Sequence, residues 1–421
     1  MVSQNVLNVV DTAMVGVLGD EALAAVGMGG FLNFLLSSFI LGLGAGVQAM
    51  SSRRVGEGRN TQSAVPLNGG LLVGVAVAIP WSILVFLAVP ALFPRFVDDA
   101  AVAAAGAPYL QARVLAMAAV TSNFAFRGFW NATDRSRLYL GTIVVMHAVN
   151  IALNWVLIFG KLGFPALGAT GAGVASAIAT YVGTAVYFYL GWRHARGNGF
   201  LRALPDLATV RGMLKLSLPA SVQQSFFSGG MVAFYWIVGQ IGTAELAATN
   251  VMITLLLLAL LPGLGFGLAS MSLVGQALGR GDPSDARRWG WEVAAIAFVV
   301  AALIALPSVV APDLPLRFFL HDPETLAMAS VPMRLVAIFL CVDATGMVLM
   351  SSLQGAGATG RVMLASVALQ WLLFLPIAYA AGPVMGLGLT TVWALNIGYR
   401  QIQAVVFALM WRGKSWMRIR V

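Results

Sequence analysis

Twelve apolar stretches, parted by short turn-forming breaks, decide what this chain can fold into. They run over residues 2–17, 22–50, 67–93, 102–126, 138–160, 170–192, 214–240, 246–275, 289–311, 325–353, 362–381 and 386–411. The breaks carry residues that stop helices: Gly19-Asp20, Gly56-Glu57-Gly58, Pro94, Asp134, Gly163, the run 279–283, Asp313 and Gly360. About 20 apolar residues, wound as a helix, match the hydrocarbon thickness of a bilayer. Closed β-barrels show alternating segments of about 10 residues instead, and irregular chain facing lipid would leave its N–H and C=O groups unanswered. The predicted fold class is therefore an all-α polytopic membrane protein with twelve transmembrane helices. Composition agrees: of 421 residues, 59% are apolar and 10% charged, against about 25% charged in soluble domains, and mean hydropathy is +0.86. A water-soluble multidomain enzyme of this length is ruled out. The first span starts close to Met1 and is short, as expected if a helical turn is missing ahead of it.

An even number of spans puts both termini on one side of the membrane. With that side cytoplasmic, nineteen Lys and Arg fall in inner segments, within 53–59, 127–137, 193–215, 280–288, 361 and 412–420. Three, Arg95, Lys161 and Arg317, fall outside, and Arg113, Arg334 and Arg400 lie within spans. This asymmetry follows the positive-inside rule. The net charge of +9 thus reflects orientation, and no nucleic acid partner is expected. The expected location is the inner (plasma) membrane, multi-pass, with both termini cytoplasmic. A single cysteine, Cys341, excludes an internal disulfide and a Cys-rich metal site and reads as a small apolar helix residue. No Lys/Arg-flanked signal with a cleavage site opens the chain.

The chain repeats itself. Residues 15–58, shifted by 223, overlay 238–281 without a gap, and the identities include Gly16/Gly239, Gly19/Gly242, Gly42/Gly265, Gly44/Gly267, Gly56/Gly279 and Gly58/Gly281. Glycines recurring in register require the same tight turns and close helix contacts twice. A shift of 227 then pairs Gly128 with Gly355. Each half therefore holds six helices, and the two lobes relate by a pseudo-twofold axis along the membrane normal. The expected organisation is an N-lobe over 1–192, a cytoplasmic linker over 193–213, a C-lobe over 214–411 and a basic cytoplasmic tail over 412–421.

No energy-coupling or hydrolytic motif is present: there is no G-x-x-x-x-G-K-[ST], H-E-x-x-H or G-x-S-x-G. The Gly42-Leu-Gly44-Ala-Gly46 run lies inside a span and reads as helix packing, and the Asn131-Ala-Thr133 sequon falls on the inner face. No enzymatic activity is expected. Ionisable groups within spans are costly and by default functional. Of the sixteen acids, Asp11, Glu292 and Asp343 lie away from the loops, and Glu292 reads as a surface partner of Arg288 one turn away.

Asp11 sits seven residues before Leu18, roughly 10 Å below the outer end of its helix. Gln4, Asn8 and Asp11 follow i, i+4, i+7 with Asn5 and Thr12 at the flanks, a polar stripe that must face a cavity or other helices. The alternative is hydrogen-bonding glue between helices. The overlay pairs Asp11 with Phe234, so the helix position does not itself demand a carboxylate. On the fifth span His147, Asn150 and Asn154 form a matching stripe, and Asn can serve a carboxylate in either protonation state. On the sixth, Ser176, Thr180 and Thr184 recur every four residues, with back-bonding to their own helix as the bland alternative. Asp343, near the middle of the tenth span, is the second candidate carboxylate, and Arg334 and Arg400 are the cations available to neutralise it. Gln223, Gln224, Ser228, Tyr235 and Asn250 add polar groups to the second half. The 18 methionines and the aromatics suit adaptable walls for flat organic cations, or ordinary packing.

The run Val10-Asp-Thr-Ala-Met-Val-Gly16 with Ala22-Leu-Ala-Ala-Val26, and Asn150-Ile-Ala-Leu-Asn154 with Ile158-Phe-Gly160 and the glycines of 168–173, resemble the multidrug and toxic compound extrusion (MATE) family. Leu218-Pro219, Glu245-Leu-Ala-Ala248 and Gln354-Gly355 extend the resemblance over the second half. It implies two six-helix lobes in a V-shaped antiporter that exports organic cations in exchange for H⁺ or Na⁺. It also implies that Asp11 is the N-lobe carboxylate, with Asn150 in its polar shell, Asn154 where many relatives have Asp, and Ser176 where some have Thr. One carboxylate in place of two leans the coupling ion towards H⁺, with Na⁺ at Asp11 as the alternative, and no other metal or cofactor is implied. Asp343 matches a carboxylate of one bacterial branch, which often has Arg where Gln354 stands. That branch's acidic partner on the seventh helix is missing here, where Phe227 and its neighbours stand.

The reading is a cation-coupled antiporter for organic cations or other small amphipathic substrates, working in the lipid bilayer as a monomer. The candidate cation-coupling residues are Asp11, Asn150, Asn154 and Ser176, and the substrate cavity is assigned Gln4, Asn8, Thr12, His147, Thr180, Gln224, Ser228 and Tyr235. The rivals are a lipid-linked saccharide flippase of the same superfamily, disfavoured by only three mid-span arginines, and a membrane subunit driven by a separate ATPase.

Overall fold

The computed structural model describes residues 13–97, 99–320 and 322–419. Among them every regular element is helical. The first compact unit, residues 1–55 and 59–221, holds α1 (Asp20–Leu41), α2 (Leu43–Gly56), α3 (Val65–Leu92), α4 (Ala100–Val114), α5 (Met117–Ala132), α6 (Ser136–Phe159) and α7 (Gly168–His194). The helix α8 (Leu207–Gly239) begins in this unit and continues into the second, residues 56–58 and 222–421. There follow α9 (Thr243–Gly279), α10 (Pro283–Val310), α11 (Pro323–Gly355), α12 (residues 359–384) and α13 (Gly388–Arg412). Eight of the described helical stretches are long and apolar enough to cross a membrane. The α8 and α13 helices fall below that measure because each carries polar side chains in mid-span, Gln223, Gln224 and Ser228 on one, Asn396, Arg400 and Gln401 on the other.

Eleven of the twelve expected spans coincide with described helices to within a few residues, except that two are interrupted. The fourth is split into α4 and α5, with Leu115 and Ala116 between them. A break inside hydrocarbon frees carbonyls that water cannot reach. Here the Ser82 hydroxyl donates to the Val114 carbonyl at 2.7 Å and the Tyr181 phenol donates to the Leu115 carbonyl at 2.8 Å. The second is interrupted at Gly42, where a Cβ would lie 2.2 Å from the Ser221 amide nitrogen, so only glycine permits that approach. In the eleventh, the helix widens into π-turns over Ala368–Phe374 and Ala380–Val384. Pro376 and Pro383 lack the N–H that would continue the α-ladder, and π-bulges accommodate such a defect.

The internal repeat is visible as repeated contacts. Gly58 and Gly281 both adopt positive φ, +73° and +77°, and the next residue closes the same turn each time: Arg59 N to Arg54 O at 2.9 Å, Asp282 N to Ala277 O at 3.0 Å. A Cβ on Gly128 would lie 2.4 Å from the Gly44 carbonyl oxygen, and one on Gly355 would lie 2.4 Å from that of Met271. Each glycine lets one helix press on the backbone of another, once per unit. The caps repeat too. Asp99 accepts from the Ala101 and Val102 amides at the start of α4, and Asp322, 223 residues on, accepts from the Thr325 amide at the start of α11. The Thr325 hydroxyl and amide hold the Asp322 carboxyl below its ordinary value. The cap is therefore in force above the ordinary carboxylate pKa and is lost as pH falls through the lowered one.

The segment expected to be a linker, 193–213, is fastened to the first unit. The Asn68 amide donates to the carbonyls of Gly199 (2.9 Å) and Ala203 (2.8 Å) and its oxygen accepts from the Leu201 amide at 3.1 Å. Phe200 is fully buried against Phe126 and Phe188. The tail after α13 folds back likewise: Trp416 stacks on Trp411 with ring centroids 4.0 Å apart and donates to its carbonyl.

Gly128→Ala and Gly355→Ala should each destabilise the protein by about 1–3 kcal/mol through overpacking. Gly265→Ala, whose Cβ would meet nothing within 4 Å, should not. Thermal unfolding in detergent followed by size-exclusion chromatography measures the difference. Asn68→Leu removes three hydrogen bonds to the 199–203 segment and should expose it to proteolysis at the neighbouring arginines while leaving the helices intact.

Candidate functional site

Inside the first unit, α6 and α7 pack along their length, and the sequence puts short polar residues on their facing sides. The Asn154 amide donates to the Asn150 side-chain oxygen at 3.3 Å, and the Asn150 amide donates to the Ser176 hydroxyl at 3.1 Å. Asn150 and Asn154 are buried to within 1% of full exclusion, and Ser176 is buried as well. One turn further along α7 the Thr180 hydroxyl donates to the Ser176 carbonyl at 2.7 Å. The next turn reaches a third helix: the Thr184 hydroxyl donates to the Asn123 side-chain oxygen on α5 at 2.9 Å, while the Asn123 amide donates to the Thr180 carbonyl at 3.3 Å. Asn154, Asn150, Ser176, Thr180, Thr184 and Asn123 thus form one polar column through apolar surroundings. Its members are neutral, donate and accept, and can reorient around a charge that comes and goes.

Of the expected residues, Asn150, Asn154, Ser176 and Thr180 are brought together here. His147 sits half-buried one turn below Asn150 on the same helix. Asp11, Gln4, Asn8 and Thr12 lie outside the described residues. The described end of that first segment does meet the site's helices. Val15 is fully buried and packs with Tyr109, Ile158 of α6 and Ala172 of α7. Asn123 was not among the expected site residues. It is the one Asn of the fourth span, but Gln111, Arg113, Thr121 and Ser122 share that span, so nothing in the sequence set it apart.

In the second unit the expected cavity residues do not form one cluster. The Tyr235 phenol donates to the Asn250 side-chain oxygen at 3.4 Å, joining α8 to α9. Ser228 is buried about two turns before Tyr235, and Gln224 is half-buried. A knot that sequence reasoning did not single out as a site joins three helices: the Gln354 amide donates to the Gln223 side-chain oxygen at 3.0 Å, and the Gln223 amide donates to the Ser366 hydroxyl at 3.1 Å. Asp343, 8% exposed on α11, accepts from Arg400 on α13, from Nε at 2.8 Å and from Nη2. Arg334, the other cation considered, is exposed. The pair lines a small cleft together with Leu256, Leu340, Trp393, Ile397 and the polar Asn396 and Gln401. Among the described residues no group of three or more His, Cys, Asp or Glu is arranged to hold a metal ion.

The family model named MatE matches residues 1–156 and 219–380, one segment in each half of the repeat. This chain belongs to the MatE family. Curated relatives agree along nearly the full length. A probable multidrug resistance protein NorM of Pseudomonas aeruginosa is 29% identical over 398 residues, covering 91% of this chain and 80% of that protein. The multidrug resistance protein NorM of Burkholderia vietnamiensis is 27% identical over 420 residues, covering 97% and 90%. Among solved structures, a multidrug resistance MATE family transporter of the MOP superfamily in an outward-facing conformation matches with a TM-score of 0.90 at 20% identity, covering 100% of this chain and 94% of that one. A MOP superfamily transporter from Pyrococcus furiosus, described as having a binding pocket of reversed polarity, matches with the same score, identity and coverage. At that identity the likeness speaks for the fold. The all-α, two-lobed membrane architecture expected from the sequence is the MatE fold.

Asn150→Leu removes two side-chain hydrogen bonds from a fully buried position and should lower stability by about 1–3 kcal/mol. Thr180→Val, which removes only a bond back to its own helix, should stay within about 1 kcal/mol of the parent. Chemical unfolding in mild detergent compares the two.

Proposed function

We propose that this protein exports small amphipathic organic cations across the inner membrane by alternating access, driven by one coupling cation that enters through Asp11. The polar column on α5, α6 and α7 carries this reading: it is uncharged, buried at Asn150, Asn154 and Ser176 and half-buried at Thr180, Thr184 and Asn123, which suits groups that must solvate a carboxylate in two charge states. The fully buried Val15, four residues after Asp11 in sequence, packs on the helices that bear Asn154 and Ser176. The names of the relatives, multidrug resistance proteins, support the substrate class.

In the mechanism, Asp11 is ionised when its site opens outward and takes up the coupling ion. Neutralisation removes the charge that the asparagine amides had been answering. Their donors then turn back to Asn150 and Ser176, the column closes, and the bound organic cation loses its counter-charge and leaves. The ion is released on the inner side, Asp11 is ionised again, and the next substrate binds. One charge can bias the two states by only a few kcal/mol, which suffices to couple one ion to one substrate. With Asn154 where a second carboxylate would better compensate a dehydrated Na⁺, the coupling ion is H⁺. Both termini are cytoplasmic, and the protein works as a monomer without a cofactor.

Proteoliposomes loaded with ethidium test this directly. Efflux should follow a pH gradient alone, should not follow a Na⁺ gradient alone, and should fall more than tenfold in Asp11→Asn, with membrane insertion unchanged. Efflux at the parental rate in Asp11→Asn would discard the mechanism.

A further inference from the structure

Asp343 and Arg400 are opposite charges held in the middle of two membrane helices, and the column on α5, α6 and α7 does not involve them. A lone carboxylate at that depth would be an invitation to a proton or a metal cation. Here the place is taken. Arg400 brings both Nε, at 2.8 Å, and Nη2 to the same carboxylate oxygen, Oδ2. A guanidinium stays charged throughout the range in which a cell operates, so its charge cannot leave by deprotonation. The pair is also mechanically confined. The Asp343 and Arg400 side chains are only 11% and 16% exposed. Three residues beyond Asp343 on α11, a Cβ on Gly346 would lie 2.7 Å from the Ala404 Cβ, four residues beyond Arg400 on α13. The two backbones are therefore in near contact beside the pair. Close helix contact on one side and burial of both side chains limit the room in which Arg400 could swing away from Asp343.

The geometry points to Arg400 as the built-in counter-ion of Asp343: a tethered cation fills the position a mobile one would need, and α11 and α13 are held as a single body. Asp343 is then a positioning residue. The expectation of a second coupling carboxylate gives way, and coupling falls to the first unit alone. The pair lies on the wall of a small cleft that Leu256, Leu340, Trp393 and Ile397 share with Asn396 and Gln401, so most of its surroundings are apolar and the attraction between the charges is little screened. This inference deepens the proposed function and rests on it for its transport arm.

A charge cycle tests it, using Asp343→Asn, Arg400→Gln and the double variant in the full-length chain. Each single change strands one buried charge. Both should lower the thermal unfolding temperature in detergent and cut ethidium efflux more than tenfold. The double variant should recover most of the lost unfolding temperature and at least half of the efflux, with the number of ions carried per ethidium unchanged. Arg400→Lys, which keeps the charge but not the two-nitrogen contact, should fall between Arg400→Gln and the parent. A double variant that is monodisperse yet as inactive as Asp343→Asn, or that carries fewer ions per ethidium, overturns the inference, because Asp343 then handles the ion itself. So does a double variant whose unfolding temperature shows the two losses added together. If the parent protein shows no gradient-driven efflux, the proposed function has failed, and the unfolding temperatures of the four proteins still decide whether the pair is an internal counter-ion.

Discussion

A polar group inside hydrocarbon must be answered by another polar group, because water is not there to answer it. The helices of this protein are apolar almost throughout, so the few polar side chains decide which faces meet. The break between α4 and α5 is tolerated because Ser82 and Tyr181 supply donors to the Val114 and Leu115 carbonyls. The α6–α7 interface is pinned by Asn150 and Ser176, and the α11–α13 interface by Asp343 and Arg400. Without a hydrophobic drive between helices, these bonds and the close contacts made by glycine do the selecting.

The two halves share a scaffold and differ in chemistry. Gly44 with Gly128 and Met271 with Gly355 make the same backbone approach, and Asp99 and Asp322 make the same cap. At Asn123, which belongs to the first unit's polar column, the repeat places Met350 in the second. There the Met350 sulfur takes part in the Gln223 knot, which joins α8, α11 and α12 with amides and a hydroxyl. Duplication set the helix packing twice; substitution then gave one half neutral, reorientable groups and the other a fixed ion pair.

Chain segments that look like spacers are part of these bodies. The stretch after α7 reads as a linker because it is rich in Arg and Gly and poor in apolar runs. Its single aromatic side chain, Phe200, nevertheless finds a place between Phe126 and Phe188, and Asn68 completes the attachment. The stretch after α13 places Trp416 in the corresponding way.

Span positions, the repeat and the polar stripe of α6 were legible in the amino-acid order, because each depends on the spacing of residues along a helix of known pitch. The same is true of the glycines at 58 and 281, which a left-handed turn demands. Partners across helices were not legible. Arg334 and Arg400 were equal candidates for Asp343 until packing brought α13 against α11 and left Arg334 exposed, and Asn123 could not be joined to Thr184 without knowing that α5 meets α7. Local periodicity is written along the chain, whereas the choice of which helix answers a buried polar group is made only when all the helices compete for the same space.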